Sequence, residues 1–388
     1  MSEPSMFSHL IRFIRDQYRT KDFIPLHAPL FSGQERNYVL ETIDSTFVSS
    51  VGAFVDRFEN EMAAYTGSPR AVATVNGTAA LHVALQLAGV KRGELVITQP
   101  LTFIATCNAI HYCGAEPVFI DVDRHTLGLS PIALDAWLQD NTRLDNEGIC
   151  RTKNDNKIIR ACLPMHTFGH PVEIDDLVEV CTRWNLVLVE DAAESLGSFY
   201  KGRHTGTFGQ LGTLSFNGNK IISTGGGGMI LTDDSLGTRA KHLTTTARQP
   251  HPYEFIYDEV GFNYRLPNLN AALGCAQFEQ LEGFIAAKRK LATRYAEDLK
   301  GSELQFFHEP PDCRSNYWLN AVICESLEQR DMLIKTTNDQ GVMTRPIWHL
   351  MNHLPIYAHC RKGDLSNAEW LEVRVVNLPS SVPPEMLA

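Results

Sequence analysis

The chain has no CxxC pair; its nine cysteines stand singly between Cys107 and Cys360. An odd, unpatterned set in 388 residues reads as reduced thiols in a cytoplasmic protein, not as a disulfide framework. Positive charge is also short. With 35 basic against 45 acidic side chains and a formal charge of −10, no broad surface for nucleic acid is expected. That sign leaves room for an anionic ligand, because backbone amides and a few cations act locally. A GxxxxGK[ST] loop is missing, as are a strand–GxGxxG–helix unit, internal repeats and low-complexity linkers. The opening MSEPSMFSHLIRFIRDQYR is broken by charges, which argues against a signal peptide or a membrane span. Phe7, Leu10, Ile11, Ile14 and Tyr18 instead recur at helical spacing, predicting a short helix docked on the body or on a partner subunit.

What is present is ordinary globular material, 44% hydrophobic and 21% charged, in a length that predicts one large domain and a smaller one. Seven short apolar runs, at 71–75, 95–97, 117–120, 158–165, 186–189, 211–216 and 229–232, read as strands. Amphipathic segments between them, such as 104–112 and 175–184, read as helices. This alternation predicts an α/β fold with a large, mostly parallel sheet in residues 1–265. Residues 268–300 read as one long helix leading into a smaller α+β domain, 266–388, with a strand at 318–324. The polar stretch 140–157 reads as an exposed insertion.

Two segments carry most of the chemistry. LVLVEDAAES, residues 186–195, is a buried strand ending in Glu190 and Asp191, and ligands of open parallel sheets gather at such ends. An acid there suits a metal ligand, a general base, a helix cap or the partner of a protonated ring nitrogen. SFNGNKIISTGGGGM, residues 215–229, sets Lys220 between a strand and four glycines. Held rigidly and partly desolvated, such a lysine becomes a nucleophile toward aldehydes; taken alone it reads as a solvated surface residue. Together, acid and lysine meet two needs of pyridoxal 5′-phosphate, a covalent anchor and a partner that keeps the pyridine nitrogen protonated. Asp191 precedes Lys220 by 29 positions (220 − 191), enough for a crossover and a strand. The phosphate needs a cradle. Gly77, Thr78 and Ala79 lie where a strand turns into a helix, and Ser215 offers another hydroxyl. Phe103, after another strand end, suits stacking on a flat ring or ordinary packing.

In this order, NGTAALHVAL, PLTFIATCNAI, GAEPVFIDVD, VEDAAESLGS, LSFNGNKIISTGGGG, GFNYRLPNLNAALGCAQ and NLPSS closely resemble the DegT/StrS family of sugar aminotransferases. The resemblance runs from about residue 24 to 378. It implies the fold-type-I, aspartate aminotransferase-like architecture with a seven-stranded sheet and pyridoxal phosphate as cofactor. By matching motif, Lys220 would bind the cofactor covalently and move the proton, Asp191 would pair with the ring nitrogen and Phe103 would stack on the ring. Gly77, Thr78, Ala79 and Ser215 would hold the phosphate, and Glu194 would lie beside the phenolic oxygen. Asn263 matches a position that reaches the neighbouring subunit's phosphate, which implies a homodimer with shared sites. Lysine at 220 separates the chain from relatives that deoxygenate sugars, which carry histidine there. Many relatives have Gln or His at the place of Glu194 and GEGG where this chain reads GGGG. These variants, with PMHTFGHPV and KHLTTTA, resemble the subgroup that aminates C4 of UDP-2-acetamido-2,6-dideoxy-4-keto-hexoses for legionaminic acid and bacillosamine. The implied reaction is ping-pong, with L-glutamate as donor and 2-oxoglutarate released before the keto sugar enters.

Arg345, Trp348 and His349 lie in RPIWHLMNHLPIY, which resembles a loop near substrate in relatives. They are candidates to contact the nucleotide sugar, and equally read as packing. His166, after a strand end, and Arg265, suited to a diphosphate, stand likewise. His349 and His353 with His359 and Cys360 fit no zinc spacing, so no metal is expected.

Overall fold

The computed structural model describes residues 7–387. Its central sheet has eight strands in the order Arg70–Thr74, Gly228–Thr232, Leu211–Ser215, Val187–Asp191, Ile159–Leu163, Leu95–Thr98, Glu116–Phe119 and Arg361–Lys362. Only Gly228–Thr232 runs antiparallel to its neighbours. The first seven strands are those expected from the apolar runs. The eighth is a two-residue strand from the C-terminal part, paired parallel with Glu116–Phe119. Its sequence is Arg-Lys, so no apolar pattern announced it.

Side-chain alternation explains why the sheet is covered on both faces. Val72 and Ile230 enter the core formed with helix Gly77–Leu87, while Ala71, Ala73, Met229 and Leu231 enter the opposite one with Phe58 and Phe216. Further along, Val96 and Val189 join the first face, and Leu95, Ile97 and Leu188 pack on helices Pro131–Asn141 and Ile174–Arg183. A strand buried on both faces reads as a continuous apolar run, as these do.

Core membership departs from a cut at residue 265 at both ends. Helix Ser8–Tyr18 buries Leu10, Ile11 and Ile14 against Leu291, Tyr295 and the strands Asn320–Ile323 and Val375–Leu378. The N-terminal helix thus docks on the body, and it does so on the C-terminal layer. In the other direction, the expected long helix is two helices, Asn268–Phe278 and Leu281–Asp298, broken at Glu279 and Gln280. Gln280 turns its side chain to Glu35 and Ser32 there. The first of the pair carries Ala271, Ala272 and Cys275 into the core with Phe54 and Phe58. The smaller layer is a four-stranded antiparallel sheet, Gln305–Phe306, Asn320–Ile323, Val375–Leu378 and Arg345–Pro346.

The polar stretch 140–157 is more ordered than its composition suggested. It folds as a hairpin of Thr142–Leu144 and Cys150–Thr152, with Thr142, Cys150 and Thr152 buried. Among the described residues no helix is long and apolar enough to cross a membrane. Ile14 is fully buried, so Ile14→Ala should cost about 2–4 kcal/mol in urea unfolding. A loss under about 0.5 kcal/mol, the range of ordinary surface substitutions, would contradict this packing.

Candidate active site

The parallel strands end on one edge of the sheet, and the residues beyond them build the site. Asn76 caps helix Gly77–Leu87, its Oδ1 accepting the Ala79 amide at 2.8 Å. Among the described residues, the Gly77 and Thr78 amides have no hydrogen-bond partner. Gly228 pairs in register with both Thr74 and Ser215, so it draws the two flanking strands together. A Cβ on Gly77 would stand 2.9 Å from Ser215 Cβ and 3.2 Å from its Oγ. On Gly228 it would stand 2.5 Å from the Asn76 carbonyl and 2.7 Å from the Gly77 nitrogen. Main chain and hydroxyls therefore meet where only glycine fits. Two amides at a helix N-terminus, with the Thr78 and Ser215 hydroxyls beside them, form a donor set that fits a phosphate. Ala79 differs from expectation: its amide is already spent on the cap.

Asp191 ends strand Val187–Asp191 and is 3% exposed. Its Oδ2 accepts the Thr106 hydroxyl at 2.7 Å and its Oδ1 the Ala193 amide at 3.2 Å. Burial raises its pKa, while Thr106, Ala193, Lys220 and His166 pull the other way. A buried carboxylate short of positive partners is suited to a protonated ring nitrogen. Next to it lies a closed polar pair. His166 and Glu190 are both fully buried, with Nε2 donating to Glu190 Oε2 at 3.0 Å and Nδ1 accepting the Val172 amide at 3.2 Å. Glu190 also accepts the amides of Gly206, Phe208 and Gly209. Burial opposes its ionisation, yet His166 and these amides outweigh it and hold its pKa low. Both ring nitrogens of His166 are committed, so it does not line a substrate pocket as expected; it props the strand that carries Asp191.

Lys220 Nζ lies 3.2 Å from Glu194 Oε1 and 4.0 Å from the centre of the Trp318 ring. Glu194 is 3% exposed, and burial pushes its carboxyl up to about 7 against the pull of Lys220. Its Oε2 accepts the Phe168 amide at 2.9 Å. Phe168 holds a left-handed backbone, φ 57°, to aim that amide, a conformation costing about 1–3 kcal/mol in a non-glycine residue. Gly169 follows at φ 94°, where a Cβ would meet Asn316 Oδ1 at 1.9 Å. Trp348 packs on Phe168 at 5.2 Å and meets Phe103 edge-on at 6.5 Å. Phe103 caps helix Ile104–Tyr112 and is 50% exposed, as a ring waiting to stack would be.

The other expected residues scatter. Asn263 is exposed and its Oδ1 accepts Arg265 at 3.1 and 2.9 Å. Arg265 bridges Thr74 through its main chain and lines a cavity of about 540 Å³ with Arg248, His251 and Val51. Arg345 is exposed, and its Nη1 donates to Asn338 Oδ1 at 3.0 Å and to the Thr344 carbonyl at 3.1 Å. His349 is mostly exposed and, with His353, contacts Glu372. Thr106, Phe168, Asn316 and Trp318 escaped the sequence reading. Thr106 stands three positions after Phe103 on the next helical turn, a signal that was there to use; the others come from distant chain with none.

A carboxyl whose folded pKa lies above its unfolded value favours folding at low pH and loses that advantage as pH rises through the folded value. Glu194, near 7 when folded, should thus penalise the cofactor-free chain in alkali. Between about pH 5 and pH 8.5, Glu194→Gln should gain on the native chain by about 1–3 kcal/mol in urea unfolding. A flat difference across that range would refute the burial of an ionisable acid here.

The pattern of the DegT/DnrJ/EryC1/StrS aminotransferase family matches residues 30–385. The GDP-perosamine synthase of Caulobacter vibrioides is 38% identical over 362 residues, spanning 92% of this chain and 93% of that protein. A GDP-perosamine synthase of Escherichia coli O157:H7 is 36% identical over 360 residues, spanning 92% and 93%. Among solved structures, the aminotransferase TlmJ from Streptoalloteichus hindustanus superposes with a TM-score of 0.82 at 27% identity, over 92% of this chain and 93% of that one. With Lys220, Asp191 and the phosphate cradle already on one sheet edge, the conclusion is direct: the chain belongs to the DegT/DnrJ/EryC1/StrS family and is a pyridoxal-phosphate-dependent sugar aminotransferase.

Proposed function

We propose that the protein moves an amino group from L-glutamate to the C4 keto group of a UDP-linked 2-acetamido-2,6-dideoxy-4-keto-hexose, as a cytoplasmic homodimer with shared sites. The observation that carries the chemistry is Lys220 Nζ, 3.2 Å from the buried Glu194, on the edge that holds Asp191 and the Gly77–Ser215 cradle. Bound there, pyridoxal phosphate supplies an aldehyde that exchanges amines and a ring that draws electrons from the reacting carbon. Asp191 keeps a proton on the ring nitrogen. Lys220 Nζ takes the proton from the donor's Cα and, in the second half-reaction, delivers one to C4 of the sugar. Glu194 Oε1 orients that amine, and Phe103, Trp318 and Trp348 keep water from it. The amides of Gly77 and Thr78 and the hydroxyls of Thr78 and Ser215 fix the phosphate.

The UDP reading rests on Glu194 and the GGGG run, which resemble the UDP-sugar subgroup. A second reading keeps the chemistry and takes a GDP-linked 4-keto sugar, in line with the names of the two relatives. For the dimer, support comes from the exposed Tyr253, Phe255 and Val260, at 90%, 71% and 84%, in the segment preceding Asn263. A surface this apolar is suited to a partner. Arg248 and Arg265, beside the same segment, suit the diphosphate.

The purified protein should be yellow, borohydride should fix the cofactor to it, and Lys220→Ala should abolish that fixation. Absence of any bound pyridoxal phosphate would end the mechanism. Glutamate with a panel of keto sugars then decides the substrate: turnover of GDP-linked and not UDP-linked 4-keto sugars would replace the UDP reading. Mixing inactive Lys220→Ala with inactive Asn263→Ala subunits should restore roughly a quarter of native activity, one intact site in each hybrid dimer. No recovery would argue against shared sites.

A further inference from the structure

Lys288, on helix Leu281–Asp298, is fully buried. No carboxylate pairs with it among the described residues; its Nζ donates to the Trp318 carbonyl at 3.1 Å and to the Ser380 carbonyl. Burying a basic head without a counter-charge is costly, and an apolar side chain of similar length would fill the same space. The cost places a strong donor on two main-chain carbonyls, those of Trp318 and Ser380.

Trp318 is pinned at three points. Its amide donates to Asn316 Oδ1 at 2.8 Å, its carbonyl accepts Lys288, and its Nε1 donates to the Asn219 carbonyl at 2.7 Å. The main-chain bonds fix where the side chain starts, and the Nε1 bond fixes how the ring is turned. The result is an indole face 4.0 Å from Lys220 Nζ, a geometry that favours positive charge on the amine. Asn316 is tied in turn to the carbonyls of Glu194 and Leu196. One frame therefore seats both neighbours of Nζ, the Glu194 carboxylate and the ring.

We propose that Lys288 is a positioning residue for Lys220: acting through Trp318, it holds the indole face against Nζ and so steadies the amine while it carries a proton between donor and acceptor carbons. This rests on the reading of Lys220 as the proton carrier. Among the described residues, Glu194, Asp191 and His27 feel the charge of Lys220, and His27 feels that of Lys288 as well. His27 has no hydrogen-bond partner on either ring nitrogen. Burial, then Lys288 and Lys220, hold its pKa well down, so it stays uncharged and adds no like charge beside the amine. Burial brings Lys288 down to about 7. In mild alkali it therefore acts through its hydrogen bonds and not through its charge.

The test uses the cofactor-loaded protein and the variants Lys288→Met, Lys288→Arg, Trp318→Leu and the double Lys288→Met/Trp318→Leu. The visible absorbance of the bound cofactor is titrated in alkali, and the half-reaction with L-glutamate is timed. Lys288→Met and Trp318→Leu should each lower the absorbance midpoint by about one pH unit. Each should also slow the half-reaction about tenfold, with the half-saturating glutamate concentration within about twofold. The double variant should match Trp318→Leu alone, because the lysine has nothing left to position, and Lys288→Arg should recover much of the native midpoint. Additive effects in the double variant would overturn the proposal, as would a Lys288→Met protein that melts earlier but titrates like the native one. If Lys288→Met does not fold, Lys288→Leu, which likewise lacks a donor, replaces it with the same criteria. Fixation of the cofactor by borohydride in Lys220→Ala would instead sink the assignment of Lys220, an outcome separate from these.

Discussion

Everything at the site hangs on how closely three stretches of main chain approach one another. Gly228 lies between Thr74 and Ser215 with no room for a Cβ, and that closeness brings the Gly77–Thr78 amides to the Ser215 hydroxyl. The strand carrying Gly228 is also the one that reverses direction in an otherwise parallel sheet. Its reversal lets a short glycine run return directly from Lys220 to the cradle. On the proposed assignment, the anchor for the cofactor's aldehyde and the cradle for its phosphate are thus joined by one loop.

Around this frame the protein keeps an unusual number of buried polar groups, each handled differently. Glu190 is saturated with donors, three amides and His166, and remains ionised. One residue later, Asp191 has two donors and a raised pKa. Glu194 has an amide and Lys220 and is pushed up by burial to about 7. Three carboxylates on one short segment thus run from fully to partly compensated. The compensated one holds the fold, and on the proposed function the other two would keep capacity for groups that arrive with cofactor and substrate. The left-handed turn at Phe168 belongs to the same arrangement, since it spends backbone strain to give Glu194 an oriented amide.

The smaller layer is more than a cover. It supplies Trp318 to Lys220, Trp348 to Phe103 and Asn316 to the Glu194 backbone. It shares its own core with the N-terminal helix. Any movement between the layers would therefore be felt at the lysine first.

The sequence by itself determined the seven apolar strands of the large sheet and the helix starts after them; it offered Lys220, Asp191, Ser215, Gly77, Thr78 and Phe103 as candidates, and the family resemblance added Glu194. The candidates read from the residues rest on local facts: continuous apolar runs, a strand turning into a helix, an acid at a strand end, a lysine among glycines. Tertiary structure alone decided the rest. It committed the Ala79 amide to Asn76, closed His166 onto Glu190 and turned Arg345 toward Asn338. It also split the expected long helix at Gln280 and joined the chain's two ends in one core. The physical reason is common to these cases. A polar side chain's role depends on which partners reach it first, and those partners lie at separations that no local pattern encodes. Trp318 stands 98 positions beyond Lys220 (318 − 220), yet only packing of one layer on the other lays its ring on the amine.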